Sequence, residues 1–225
     1  MSLATVHLVR HGEVHNPERV LYGRLPNFHL SELGREMAQR VAGHFAGRAN
    51  AGASIVQLVA SPLTRAQETA APIAQRLGLE IVTDARVIEA YSRFEGMSQV
   101  VRQLRHPRYW PLLINPLRPS WGEPYGQQVG RMMAAVTDAR VQAVGLAEAN
   151  GSAGPAEVIV VGHQLPIWVS RLAAENRRLW HDPRDRECTL TSITSLDFDG
   201  ERLVGVRYEE PSADLLPGAA NLPGA

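Results

Sequence analysis

The spacing of apolar residues along this chain alternates between two periods. Ala4 to Val9, Ile55 to Ala60 and Val158 to Val161 are short, mostly apolar runs, the pattern of strands buried on both faces. Between the first two, Leu33, Met37, Val41 and Phe45 recur at every fourth position and predict an amphipathic helix. Ser31 is its N-cap, and Gly34 is a blemish in its first turn. Ser61-Pro62 predicts a second helix start, with Ser as N-cap and Pro in the first turn, and Gly78 marks its end. A short strand follows at Glu80 to Thr83, then a long helix from about Pro124 to Glu148 and another helix from about Leu165. Thr189 to Leu196 and Leu203 to Tyr208 form a hairpin turned at Asp199-Gly200.

Strands alternating with helices and ending in a hairpin predict a three-layer α/β/α sandwich. Its sheet is mostly parallel, with antiparallel pairing at an edge. Residues 1–209 form a single domain on this pattern. Residues 97–121 break it with a proline-rich stretch carrying Arg102, Arg105, Arg108, Arg118, Tyr109, Trp110 and Trp121. That segment is expected to be a lid or insert that selects substrate. Residues 210–225, rich in Pro and Gly, are expected to be a disordered tail.

Composition narrows the chemistry. The 225 residues are 44% apolar and carry no formal net charge, so neither a nucleic-acid surface nor a membrane partner is expected. All 23 basic residues are Arg, which excludes Schiff-base, pyridoxal-phosphate and P-loop lysines. The lone Cys188 excludes a disulfide framework and a Cys zinc cluster. No basic leader or long apolar stretch opens the chain, so the expected location is cytoplasmic. Oligomeric state leaves no mark on the sequence.

Four distant segments hold what a phosphohistidine site needs: Leu8-Val9-Arg10-His11-Gly12-Glu13, Ser61-Pro62-Leu63-Thr64-Arg65-Ala66, Ile88-Glu89, and Val160-Val161-Gly162-His163-Gln164. Two arginines bind a phosphoryl group through planar, permanently charged forks. One histidine attacks, the other steadies charge, and a carboxylic acid serves the leaving group. Glu89, Glu95 and Glu123 are the candidates for that acid. Three of the segments follow strands, at the carboxyl edge where such sheets bind ligands.

In order and spacing these segments, with Leu30-Ser31-Glu32-Leu33-Gly34 and the run from Ser61 to Ala70, resemble the histidine phosphatase superfamily, also called phosphoglycerate-mutase-like, over about residues 4–208. The resemblance implies that His11 becomes phosphorylated, that Arg10, Arg65 and His163 hold the phosphoryl group, and that Glu89 is the proton donor. It implies a small phosphorylated metabolite as substrate and no metal or other cofactor. Asn16, Arg24, Gln164, Arg105, Arg108 and Trp110 are further candidates for substrate contact. Departures lie around these motifs: Val14-His15 comes one residue short before Asn16, and Gln164-Leu165-Pro166 replaces a common glycine pair. They bear on substrate and pocket shape.

The expected activity is therefore metal-independent phosphatase action. A mutase using the same phosphohistidine is the alternative, and an inactive phosphate-binding scaffold a third possibility. Competing motifs are weaker. His7, His11 and His15 have helical metal-site spacing but fall on a strand and a glycine-broken turn. Asp197-Phe198-Asp199-Gly200 mimics an aspartyl phosphatase motif but sits in the hairpin. Cys188 lacks the arginine of a Cys-x5-Arg phosphatase, because Thr194 stands in its place.

Overall fold

The computed structural model describes residues 3–98, 106–113, 121–152 and 154–220; the side chains of Arg108, Leu112 and Leu113 lie outside that description. The elements are β1 (Leu3–Arg10), α1 (Glu32–Asn50), β2 (Ser54–Ala60), α2 (Thr64–Leu77), β3 (Ile81–Thr83), α3 (Tyr125–Ala149), β4 (Ala156–Gly162), α4 (Gln164–Ala174), β5 (Ile193–Asp199) and β6 (Arg202–Glu209). The strands make one sheet in the order β3-β2-β4-β1-β5-β6. The first four are parallel; β5 runs antiparallel to β1, and β6 antiparallel to β5. No described helix is long and apolar enough to cross a membrane.

Period-two alternation builds the layers. Ala4, Val6 and Leu8 of β1, with Val158 and Val160 of β4, pack with Met132, Val136 and Ala139 of α3 and Trp168 and Leu172 of α4. Val9, Ile159 and Val161 point the other way, onto Val41 and Phe45 of α1 and Ala66, Ala70 and Ile73 of α2. Strands covered on both faces cannot show a polar side, which is why they read as apolar runs. The exception is a buried polar file: His7 bonds Ser195 at 2.8 Å and Glu157 at 3.0 Å, and Arg48 of α1 closes on Glu157 at 2.7 Å.

Three expectations need correction. Ser61 does not cap α2. Leu63 is the N-cap residue, with extended backbone and no side-chain cap bond; the Ser61 hydroxyl instead meets His163 at 2.7 Å and accepts from the Leu63 amide at 3.4 Å. Gly34 is no blemish either. A Cβ there would lie 2.0 Å from the Glu13 carbonyl oxygen, and one on Gly12 would lie 2.6 Å from the Gly34 oxygen. The two glycines let the loop after β1 lie directly on the start of α1, whose Ser31 cap accepts from Gly34 at 2.9 Å. Finally, residues 210–220 are structured. Ser212 is buried and bonds Thr191 at 3.0 Å, Asp214 pairs with Arg40 at 3.1 Å, and the Ala220 amide donates to Glu13 at 2.6 Å. These long-range contacts leave no periodic trace in the sequence.

The segment 97–121 is tied down at both ends. The Val20–Ser98 and Ser92–Gly122 bridges hold it, and Trp121 stacks on Phe94 at 6.4 Å. Pro107–Leu113 is a 3-10 helix. Arg102, Arg105 and Arg118 lie outside the described residues.

Replacing Gly34 with Ala should destabilise the protein by about 1–3 kcal/mol, although Ala is the better helix former. Gly47→Ala, in the same helix with open space around it, should be neutral or stabilising by up to about 1 kcal/mol. Urea denaturation of both variants checks this; equal behaviour would mean that the close approach at Gly34 is no constraint.

Candidate active site

Strand register assembles the site. Arg10 of β1 pairs with Gly162 of β4, and Ala60 of β2 pairs with Val161, so three parallel strands end at one level. The ladder continues one residue further: the His11 amide donates to Gly162 at 3.1 Å and the Ser61 amide to Val161 at 2.9 Å. His11, Ser61 and His163 therefore emerge side by side, and all three are fully buried.

The His11 ring is oriented by its own loop. Nδ1 lies 2.7 Å from the Gly12 carbonyl, which can only accept, so Nδ1 carries the proton and Nε2 keeps a lone pair. The Arg65 Nε donates to that Nε2 at 3.3 Å. Arg65 is held by the Gly23 carbonyl at 2.5 Å and by the Tyr22 ring, 4.7 Å from its guanidinium carbon. Thr69 links α2 to the loop, accepting from the Gly12 amide at 3.1 Å and donating to the Arg65 carbonyl at 2.7 Å. Arg10 donates to the Cys188 carbonyl at 2.8 Å. The His163 ring lies 5.2 Å from that of His11, and its buried Nδ1 has no hydrogen-bond partner among the described residues.

Burial, then the charges of Arg65 and Arg10, hold His11 well below the ordinary imidazole value. His163 is lowered in the same way, by burial first and then by Arg65. Glu89 moves the opposite way. Burial raises its carboxyl, while the Ala90 amide, Arg65, Arg186 and Arg10 pull it back. The pocket thus holds two imidazoles held towards the neutral form, two buried guanidinium groups and a carboxyl whose burial disfavours ionisation. Such a set can attract an anion.

A family model for the histidine phosphatase superfamily (branch 1) matches residues 6–211. The chain belongs to this superfamily. Membership indicates an enzyme of phosphatase or mutase type. "Uncharacterized protein Rv0525" of Mycobacterium tuberculosis (strain ATCC 25618 / H37Rv) is 51% identical over 210 residues, covering 92% of this chain and 96% of that protein. Among solved structures, mycobacterial glucosyl-3-phosphoglycerate phosphatase Rv2419c with VO3 superposes with a TM-score of 0.71 at 23% identity, over 92% of this chain and 97% of that one. YhfR of Bacillus stearothermophilus gives 0.67 at 23% identity, over 89% and 94%. These two likenesses establish the fold.

Against this histidine phosphatase frame, the other candidate residues separate by contact. Glu123 is occupied, paired with Arg24 at 2.9 Å and Arg131 at 2.8 Å. Glu95 accepts from the amides of Arg24 at 3.1 Å and Ser92 at 3.2 Å. Arg24 donates to the Glu89 carbonyl at 2.6 Å, and Arg131 reaches the same carbonyl at 3.4 Å, so both brace the backbone that carries Glu89. Asn16 turns back on its own loop, bonding both backbone groups of Val20 at 2.8 and 3.0 Å. Gln164 is buried and donates to the Cys188 carbonyl at 3.3 Å, beside Arg10. Trp110 is 59% exposed on its 3-10 helix. Arg105, and the side chain of Arg108, lie outside the described residues.

The metal decoy dissolves geometrically: His7 faces Glu157 and Ser195, His11 faces Arg65, and His15 is exposed on its loop. Sequence patterns missed Tyr22, Arg131 and Arg186. Tyr22 carried a trace in the Tyr-Gly pair before Arg24, where Gly23 has φ +36°. Arg186 carried none, because it sits in a run of mixed charge that looks like a solvated loop.

The depressed imidazoles have a consequence for stability. The unfolded chain takes up protons at both histidines below 6.5, and the folded chain resists doing so. Their contribution is thus fully present above that value and lost as the pH falls from it towards the folded-state values. Urea midpoints of the wild type should decline over this window, and the double variant His11→Gln/His163→Gln should decline less steeply. Identical slopes would contradict the neutral assignment.

Proposed function

We propose that the protein is a metal-independent phosphomonoesterase that works through a phosphohistidine on His11. One observation carries this: Nδ1 of His11 is committed to the Gly12 carbonyl, which leaves the Nε2 lone pair facing Arg65 with Arg10 and His163 around it. The lone pair forms the N–P bond as the ester P–O bond breaks. Arg65, Arg10 and the His163 Nδ1 position take the charge that spreads over the transferring oxygens. Glu89 gives its proton to the departing oxygen, for which its raised carboxyl suits it. Water then forms a new P–O bond, its proton returns to Glu89, the N–P bond breaks, and inorganic phosphate leaves. Guanidinium groups supply the positive charge that a metal ion supplies in other phosphatases. The fold shared with glucosyl-3-phosphoglycerate phosphatase is in keeping with hydrolysis.

Brief incubation with substrate and an acid-free quench should leave one phosphate on His11, and activity should survive EDTA. Phosphate on Ser61 or Asp197, or activity lost to the chelator and restored by a divalent ion, would sink the mechanism. Hydrolysis rather than transfer is read from the product: free phosphate, not a phosphorylated acceptor.

Glu89→Gln isolates the acid. An alkyl phosphate needs a proton on its leaving oxygen in the transition state, whereas a nitrophenyl ester hardly does. Single-turnover phosphorylation by the alkyl ester should slow by roughly 10²–10⁴-fold, with the nitrophenyl ester affected much less. Equal losses on the two esters would remove Glu89 from this role.

A further inference from the structure

Arg186 lies in the loop between α4 and β5, half-buried, and has no ion pair among the described residues. Its neighbours do: Asp182 is taken by Arg184 at 2.5 Å, and Glu187 by Arg171 at 2.6 Å. Two neutral acceptors aim its guanidinium instead. His181 Nδ1 faces the Leu179 carbonyl at 2.7 Å, so its Nε2 is left to accept from Arg186 Nε at 2.9 Å. Gln164 Oε1 accepts from Nη1 at 3.4 Å, while the same amide's nitrogen donates to the Cys188 carbonyl that Arg10 also holds. Nη2 makes no hydrogen bond among the described residues. A sheltered cation held by neutral groups is an incomplete pair, and desolvation favours completing it with an anion.

The position says which anion. Gln164, the residue after His163, links Arg186 to the phosphoryl pocket: its oxygen takes Nη1, and its nitrogen shares the Cys188 carbonyl with Arg10. Arg186 therefore borders that pocket one amide away from Arg10, where a second charged group of a bound phosphomonoester can meet it. We propose that Arg186 is a specificity residue that receives a second oxyanion, a carboxylate or a second phosphoryl group, carried by the alcohol part of the substrate. This rests on the phosphatase assignment and names its substrate class: phosphomonoesters of anionic alcohols. The planar guanidinium fork suits either oxyanion, and Gln164 and His181 fix its angle before substrate arrives.

The test compares propyl phosphate with 3-(phosphonooxy)propanoate and with propane-1,3-diyl bisphosphate, which add a terminal carboxylate or phosphate to one carbon frame. Wild-type kcat/KM should favour at least one charged ester by about 10–100-fold, the range of a charge-assisted hydrogen bond. The two charged arms tell which oxyanion is recognised. In Arg186→Met the charged-to-uncharged ratio should fall towards one, chiefly through KM, and Arg186→Lys should keep part of it. A wild type indifferent to both charged esters, or a ratio unchanged in Arg186→Met, overturns the proposal; the second result would mean that Arg186 serves the transferring phosphoryl group or the fold. If no ester turns over and no phosphohistidine forms, the phosphatase assignment fails by itself. Calorimetry with 4-phosphonobutanoate against butylphosphonate then still decides Arg186, since tighter binding of the carboxylate-bearing member must vanish in Arg186→Met.

Discussion

Two guanidinium groups, Arg10 and Arg65, each 1% exposed, sit beside an imidazole that must stay neutral, and the rest of the structure is arranged around that constraint. Burying a charge costs several kcal/mol unless it is well bonded. Arg10 meets the Cys188 carbonyl, and Arg65 meets the Gly23 carbonyl and the face of Tyr22. Carbonyl dipoles and an aromatic face hold these cations without cancelling them. A carboxylate clamped on Arg65 would have satisfied the same hydrogen bonds and cancelled its charge.

Carbonyls of that kind are available only where backbone leaves its ladder. The sheet supplies such a place by ending β1, β2 and β4 at one level, with the apolar clusters on both faces holding the register. One residue beyond, His11, Ser61 and His163 are fixed by backbone bonds before any side chain interacts. Gly12 and Gly34 then bring α1 against the His11 loop, and Thr69 ties α2 to it. Core packing and chemistry are therefore one problem here: a slip of β1 against β4 would move the two histidines apart.

Glu89 is positioned by a separate device. Arg131 of α3 bonds the carbonyls of Ile88 and Glu89, and Arg24 adds a second bond to Glu89, with Glu123 balancing both arginines. The backbone of Glu89 is pinned from outside while its carboxyl stays buried, bonded to the Ala90 amide at 2.8 Å. Cations near the carboxyl favour its ionised form, yet burial outweighs them and lifts the carboxyl above its ordinary value. The charge that braces Glu89 is directed at its carbonyl, where it does least to the carboxyl's proton.

The sequence by itself determined the layers and which motif residues would meet at the strand ends. Strand and helix periods are local, set by which side chains must face a core, so β1, β2, β4 and the helices were legible at once. Arg10, His11, Arg65 and His163 stand within a residue or two of strand or helix ends, and the ends themselves were legible. Tertiary structure alone decided the rest, because those contacts join residues far apart with no period between them. Ser61 looks like a cap, yet the helix starts at Thr64 and the hydroxyl meets His163, 102 residues away. Glu89, Glu95 and Glu123 are alike as letters, and only their partners distinguish them. Arg186 looks like a solvated charge until folding sets it between His181 and Gln164. Local sequence encodes what each segment must bury; which polar groups then meet depends on how the segments stack.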